Sequence, residues 1–348
     1  MNFYLFVLAF LFLGAFLKKD KKVNDFFLLL SAGLIYLLMA LKESITGDYS
    51  RYAHHFITSA YKTIDQMAAD KGELGFHAMT KAINSLTQNV NVYFAITGAI
   101  LIIAMLIFIK NNAENKLYAI YFYYTIGLFA FNLAGLRQAL AMSICLFAFP
   151  FIKRKNIIGF LAVVGVAFLF HKSAVFFLAA FPIAWFKWKW NYMIAATGFF
   201  GIMFVSFVSL HRMVADWLGY ETYDIESAGN GGLFFVIMLG IGILGLFHKE
   251  RLLRQNKMNI IFLNLHLGAT VLWIFRLFSR TVERPIYYFL FATIILLDQI
   301  CSLEMDRDIE IRSHQLIRFS ALVLFGVFFV YRLLRDTNLL PYIWIIGS

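Results

Sequence analysis

The chain has 348 residues, 61% of them hydrophobic, with a formal net charge of +11 and a mean hydropathy of +0.74. Soluble domains average roughly 45–50% apolar residues, so a water-soluble globule is excluded and the bilayer is the environment in which this composition folds. The positive charge lies in short segments between apolar runs, which reads as membrane topology and not as nucleic-acid binding.

A spanning helix needs about 20 mostly apolar residues. Runs at 2–17, 26–41, 91–109, 117–134, 138–152, 157–170, 174–186, 191–210, 233–247, 258–275, 286–300 and 316–331 lead to an expectation of about 12 transmembrane helices. The expected fold is an all-α polytopic bundle in one integral membrane domain, 1–348, with short amphipathic helices on its outer face. Loops 18–22, 110–116, 153–156, 187–190, 248–257 and 301–314 hold most of the lysines, with Lys18, Lys19 and Arg307 among their cations. Cationic loops are retained in the cytoplasm, which places the opposite loops and both termini outside. The first run has no Lys or Arg before Lys18 and no small-residue cleavage pattern, so it reads as an inserted anchor and not as a signal peptide. Cys145 and Cys301 are far apart in sequence and no Cys/His spacing suits a metal; neither disulfide, metal nor cofactor is expected.

The outer segments carry the chemistry. Loop 42–90 is too polar to span and opens with Gly47-Asp48-Tyr49-Ser50-Arg51-Tyr52, where Gly47 permits a sharp turn. Asp48 is either a proton acceptor or sugar ligand, or an N-cap or turn aspartate; Glu73 carries the same two readings. Phe76, Met79, Ile83 and Leu86 recur at helical spacing, as in a short amphipathic helix on the membrane surface covering the outer opening. Arg137 interrupts the otherwise uncharged stretch 117–152 and needs a partner, either headgroups, a carboxylate or a lipid-linked phosphate held by its bidentate fork. His171 and Lys172 occupy the next outer turn, where a histidine serves as acid or base or as a hydrogen-bonded structural group. The acidic segment 211–230 reads as a flexible lid. Arg276, Arg280 and Arg284 are spaced i, i+4, i+8 and form one cationic stripe if the tenth span continues helically, ending at Pro285. That stripe is either an anion site or a solvated ridge balanced by Glu283 and by Asp224 or Glu226.

Certain motifs stand in a recognisable order. They are Gly47-Asp48-Tyr49 with Tyr52 and Phe56, Glu73-Leu74-Gly75-Phe76, Leu136-Arg137-Gln138-Ala139-Leu140-Ala141, Lys153-Arg154-Lys155, Phe170-His171-Lys172-Ser173-Ala174, Arg284 with Tyr287, Tyr288 and Phe289, and Pro341-Tyr342. In that order the chain resembles the EpsG family of Wzy-like polysaccharide polymerases over most of its length, with Leu74 standing where many relatives carry proline. The resemblance implies a bacterial cytoplasmic-membrane glycosyltransferase that joins polyprenyl-pyrophosphate-linked glycans at the outer face and releases polyprenyl pyrophosphate without a metal. It implies Arg137, Arg276, Arg280 and Arg284, with Gln138, Lys172, Tyr49 and Tyr52, as substrate-binding residues. His171, Asp48 and Glu73 are the candidates for the base that deprotonates the attacking hydroxyl. Tyr61 and Trp217 offer further stacking faces, or belong to an aromatic belt. Expected partners are the two lipid-linked glycans and membrane lipids, with room for a chain-length regulator. A ligase using the same donor remains an alternative, as does a carrier of lipid-linked sugars, although carriers place their ionisable groups near the midplane.

Overall fold

All twelve apolar runs fall on helices, yet half or more of those helices are too short or too bent to count as simple spans. The structure, a computed structural model, describes residues 1–17, 21–43, 47–68, 73–187, 189–207, 209, 213, 217, 231–305, 308–335, 339 and 343–344. Lys18, Lys19, Arg307, Pro341-Tyr342, and the segment 211–230 with Asp224 and Glu226 (residues 213 and 217 excepted) lie outside the described residues.

Six described helices are long and apolar enough to cross a membrane: Lys22–Ala40, Val90–Asn112, Leu136–Lys153, Asn259–Arg276, Arg280–Cys301 and Asp308–Leu333. Two bent pairs, Lys116–Thr125 with Leu128–Ala134 and Gly232–Phe247 with Lys249–Gln255, raise the number to eight if each pair is one span. Among the described residues six to eight helices thus have the length and hydropathy of a span, and the expected count of about 12 is not confirmed. Hydropathy marks where apolar residues lie but not how far the helix runs. The 13-residue helix Asn2–Gly14 rises only about 20 Å against a hydrocarbon core of about 30 Å. The helix Ile157–Phe170 has 14 residues, and the run after it begins as a 3₁₀ helix, Lys172–Ala179, before one α-turn at Ala180–Ala184. The only described sheet is a two-residue antiparallel pair, Lys42–Glu43 with Ile343–Trp344.

The centre of the bundle is the span Arg280–Cys301, in which every residue from Ile286 to Cys301 is buried, packed along Asn259–Arg276 and against Lys116–Thr125. Every residue from Leu117 to Thr125 is buried. Its tyrosines are tolerated there because their hydroxyls have partners: Tyr124 donates to the Tyr4 carbonyl at 3.0 Å, Tyr121 donates to the Leu322 carbonyl, and Asn132 donates to the Tyr123 oxygen at 2.7 Å. At the far end of the central span, buried Asp298 accepts from the backbone N–H groups of Glu114 and Asn115 at 2.7 and 2.9 Å. That staple fixes the start of Lys116–Thr125 against Arg280–Cys301.

Between Thr125 and Leu128 the chain bends by 52° at Gly127, which has φ of +115°. An L side chain is strained in that conformation, and a Cβ there would overlap the Arg332 guanidinium. Gly127→Ala is expected to destabilise the fold by about 1–3 kcal/mol, seen as a lowered thermal midpoint in detergent; an unchanged midpoint would show that the bend tolerates a side chain.

Candidate active site

Glu73 precedes the helix Leu74–Leu86, and its side chain makes no capping hydrogen bond. The helix start is pressed against the end of Ile157–Phe170. A Cβ at Gly75 would sit 3.0 Å from Leu169 Cβ and from the Phe170 ring, so the approach depends on glycine. The approach delivers the Glu73 carboxylate to His171, which stands in extended conformation just after Phe170. Oε1 of Glu73 lies 2.5 Å from His171 Nδ1, and Oε2 lies 2.5 Å from Arg137 Nη1. Arg137 is in the first turn of the helix Leu136–Cys145, which starts after a break at Gly135.

The electrostatics of this cluster assign its protons. Burial pushes the Glu73 carboxyl up, but the hydrogen bond from His171, with the charge and hydrogen bond of Arg137, holds the group below its usual range. Glu73 is thus an anion and an acceptor, so His171 Nδ1 carries the proton and donates. Burial lowers the His171 pKa, and the positive charges of Arg137 and Arg284 act in the same sense, against the opposite pull of Glu73. The imidazole is therefore neutral at pH 7 with its lone pair on Nε2. That atom is buried and has no hydrogen-bond partner among the described residues.

His171 and Arg137 open on a cavity of about 380 Å³. Asp48, Arg51 and Tyr52 line it from the helix Gly47–Thr58, Phe131 from Leu128–Ala134, and Arg137 and Gln138 from the next helix. Arg280, Glu283, Arg284 and Tyr287 line it from the start of the central span, and Arg332 from the last helix. Five arginines face two carboxylates, Asp48 and Glu283, so the cavity is suited to an anion. Gln138 Nε2 donates to the Arg284 carbonyl at 2.7 Å and ties two of these walls together. Asp48 lies in the first turn of its helix, partly exposed, 3.3 Å from Arg51. Asp48 and the Glu73–His171 pair thus reach the cavity from different elements, and Glu73 itself sits behind the lining.

Other expectations are corrected. The arginine stripe does not exist, because the helix Asn259–Arg276 stops at Arg276 and a 3₁₀ turn, Arg280–Val282, intervenes before the helix Glu283–Cys301. Pro285 belongs to the first turn of that helix, where its missing N–H leaves no helical bond unmade; it accompanies a helix start, not an end. Arg276 is buried against Glu283, with Nη2 to Oε2 at 3.1 Å, while the Tyr287 hydroxyl donates to the other Glu283 oxygen at 2.9 Å. Arg276 does not line the cavity, and neither do Lys172, Tyr49, Tyr61 or Trp217. Tyr49 stacks face to face on Phe94 with centroids 4.0 Å apart, and Trp217 stacks on Phe168. The amphipathic helix is present, but it buries Phe76, His77, Thr80 and Ile83 against protein, and Leu86 is exposed. Its inner face is thus committed to neighbouring helices and not to lipid. Arg332 and Arg51 were missed as cavity residues; the one signal for Arg332 was a cation directly following the last apolar run.

Glu73→Gln should lower the His171 pKa further, because it removes the anion that favours the imidazolium. The acidic limb of the rate profile, already below the ordinary histidine value of about 6.5, is expected to move to lower pH, with a smaller rate loss than deleting His171. A limb that moves upward would mean that Glu73 does not act on this base.

Fold and cavity together define a multi-pass helical membrane protein with an arginine-rich pocket built around a buried Glu–His–Arg cluster. Residues 25–344 match the EpsG family, and the chain belongs to it. It is accordingly a polysaccharide-polymerase-like membrane protein. No curated protein and no solved structure matches the chain.

Proposed function

We propose that the chain is a metal-independent polysaccharide polymerase joining polyprenyl-pyrophosphate-linked repeat units at the outer face of the bacterial cytoplasmic membrane. The observation that carries this reading is the neutral His171, oriented by Glu73 and set beside Arg137 in one arginine-lined cavity. The lysine-rich loops, taken as cytoplasmic, support an exterior position for this cavity.

His171 Nε2 takes the proton of the acceptor sugar hydroxyl as its oxygen attacks the anomeric carbon of the donor glycan. The bond between that carbon and the pyrophosphate oxygen breaks, and its electron pair leaves with polyprenyl pyrophosphate. Arg137, Arg280 and Arg284 stabilise the charge that develops there, as preorganised donors. Glu73 fixes the imidazole tautomer and stabilises the imidazolium, the part a carboxylate plays beside histidine in hydrolase triads. Asp48 and Tyr52 bind sugar hydroxyls at the cavity wall, and Gln138 positions Arg284 through its carbonyl. Arg276 positions Glu283, and Tyr49 braces the outer helix on Phe94.

Purified protein in liposomes with a short lipid-linked oligosaccharide tests this. A ladder of longer glycans is expected, unchanged by EDTA. Transfer of one glycan to a different acceptor would make the chain a ligase, translocation without new bonds would make it a carrier, and activity lost in EDTA and restored by magnesium would replace the arginine mechanism with a metal site.

A further inference from the structure

A diphosphate leaving group needs cations on more than one side, and the cavity holds one that no sequence motif assigned. Arg332 belongs to the last turn of the helix Asp308–Leu333 and lines the same cavity as Arg137 and Arg284. Its guanidinium is held on several sides. Nη1 donates to the Ile126 carbonyl at 3.4 Å, the Phe328 ring centroid is 6.0 Å from Cζ, and the Tyr287 side chain interacts with it. Ile126 immediately precedes Gly127, whose φ of +115° and missing Cβ leave the space that the guanidinium occupies. The same break turns Leu128–Ala134 by 52°, so that Phe131 becomes cavity wall and stacks on Tyr287 with centroids 4.2 Å apart. One irregularity in a buried helix thus both shapes the pocket and admits a cation to it.

We infer that Arg332, seated by the helix break at Gly127, is a diphosphate-binding residue of the cavity. The identity of the ligand rests on the polymerase reading; the seating of Arg332 does not. A planar guanidinium matches paired phosphate oxygens in a way that an ammonium does not. The charges that act most strongly on His171 are Glu73, Arg137 and Arg284, so the part inferred for Arg332 is to hold the substrate.

Two measurements on the full-length protein test this: calorimetric binding of inorganic pyrophosphate in detergent, and donor KM in liposomes. Arg332→Gln is expected to weaken pyrophosphate about tenfold or more, a loss near that of one charge-assisted hydrogen bond, and to raise donor KM while the acidic limb of the pH profile stays in place. Arg332→Lys should fall between, since it keeps charge but loses the fork, and it carries the same test should the glutamine variant fail to fold. Gly127→Ala should weaken pyrophosphate in the same sense. Pyrophosphate affinity and donor KM unchanged in Arg332→Gln would overturn the inference and leave the polymerase reading intact. A wild-type protein that binds pyrophosphate through Arg332 but never extends a glycan would support the site and remove the polymerase reading.

Discussion

Arg137→Ala is expected to abolish chain extension while the protein remains in the membrane at normal levels. Two losses combine. The first is a donor aimed at the departing diphosphate, whose removal from a preorganised site costs about 100- to 1,000-fold in rate. The second acts on the base. Arg137 lowers the His171 pKa, so without it the pKa rises, and Glu73, left with His171 as its remaining partner among the described residues, draws a proton toward the imidazole. The balance at the base then shifts toward the imidazolium, and residual activity should be displaced to more alkaline pH. Breaking a buried ion pair costs about 3–5 kcal/mol when the survivor is left alone, but a protonated His171 takes over the pairing, which is why the fold is expected to persist. Arg137→Lys restores charge without the fork and should recover little. Glycan ladders, a pH profile and immunoblotting of membranes check all three parts; ladders of normal length from Arg137→Ala would remove the proposed mechanism.

His171→Gln should lower turnover by about 100- to 10,000-fold, the usual share of a positioned base, with donor KM little changed. Asp48→Asn should cost far less, because Asp48 is partly exposed and engaged with Arg51 at 3.3 Å, whereas His171 Nε2 is buried without a described partner. If Asp48→Asn proved as damaging as His171→Gln, with unchanged KM, the base would be the aspartate and the Glu73–His171 pair would be structural.

Where sequence reading stopped short, it stopped at contacts between distant segments. Asp48, Glu73 and His171 are all candidate bases from sequence, with His171 and Asp48 favoured because each sits close to a membrane boundary, and nothing local shows that two of the three meet. Glu73 is paired with Arg137 across 64 positions and with His171 across 98, and that pairing turns one candidate base into the orienting group of another. The arginine stripe failed for a related reason. Spacing of i, i+4, i+8 implies one face only while the helix continues, and the chain leaves the helix after Arg276. Arg276 consequently turns inward to Glu283, while Arg332, from a different helix, takes a place in the cavity.

The sequence by itself determined that this is a helical membrane protein, where its apolar helices lie, and which connecting segments carry ionisable groups. Those properties follow from local hydropathy and charge, which act over one helix and its flanks. Only the tertiary structure decided how many helices are long enough to span, which carboxylate meets His171, and which arginines share a cavity. Those outcomes depend on Gly75 and Gly127 making room for the side chains of distant segments, and close approach between segments far apart in the chain leaves no local periodicity to read.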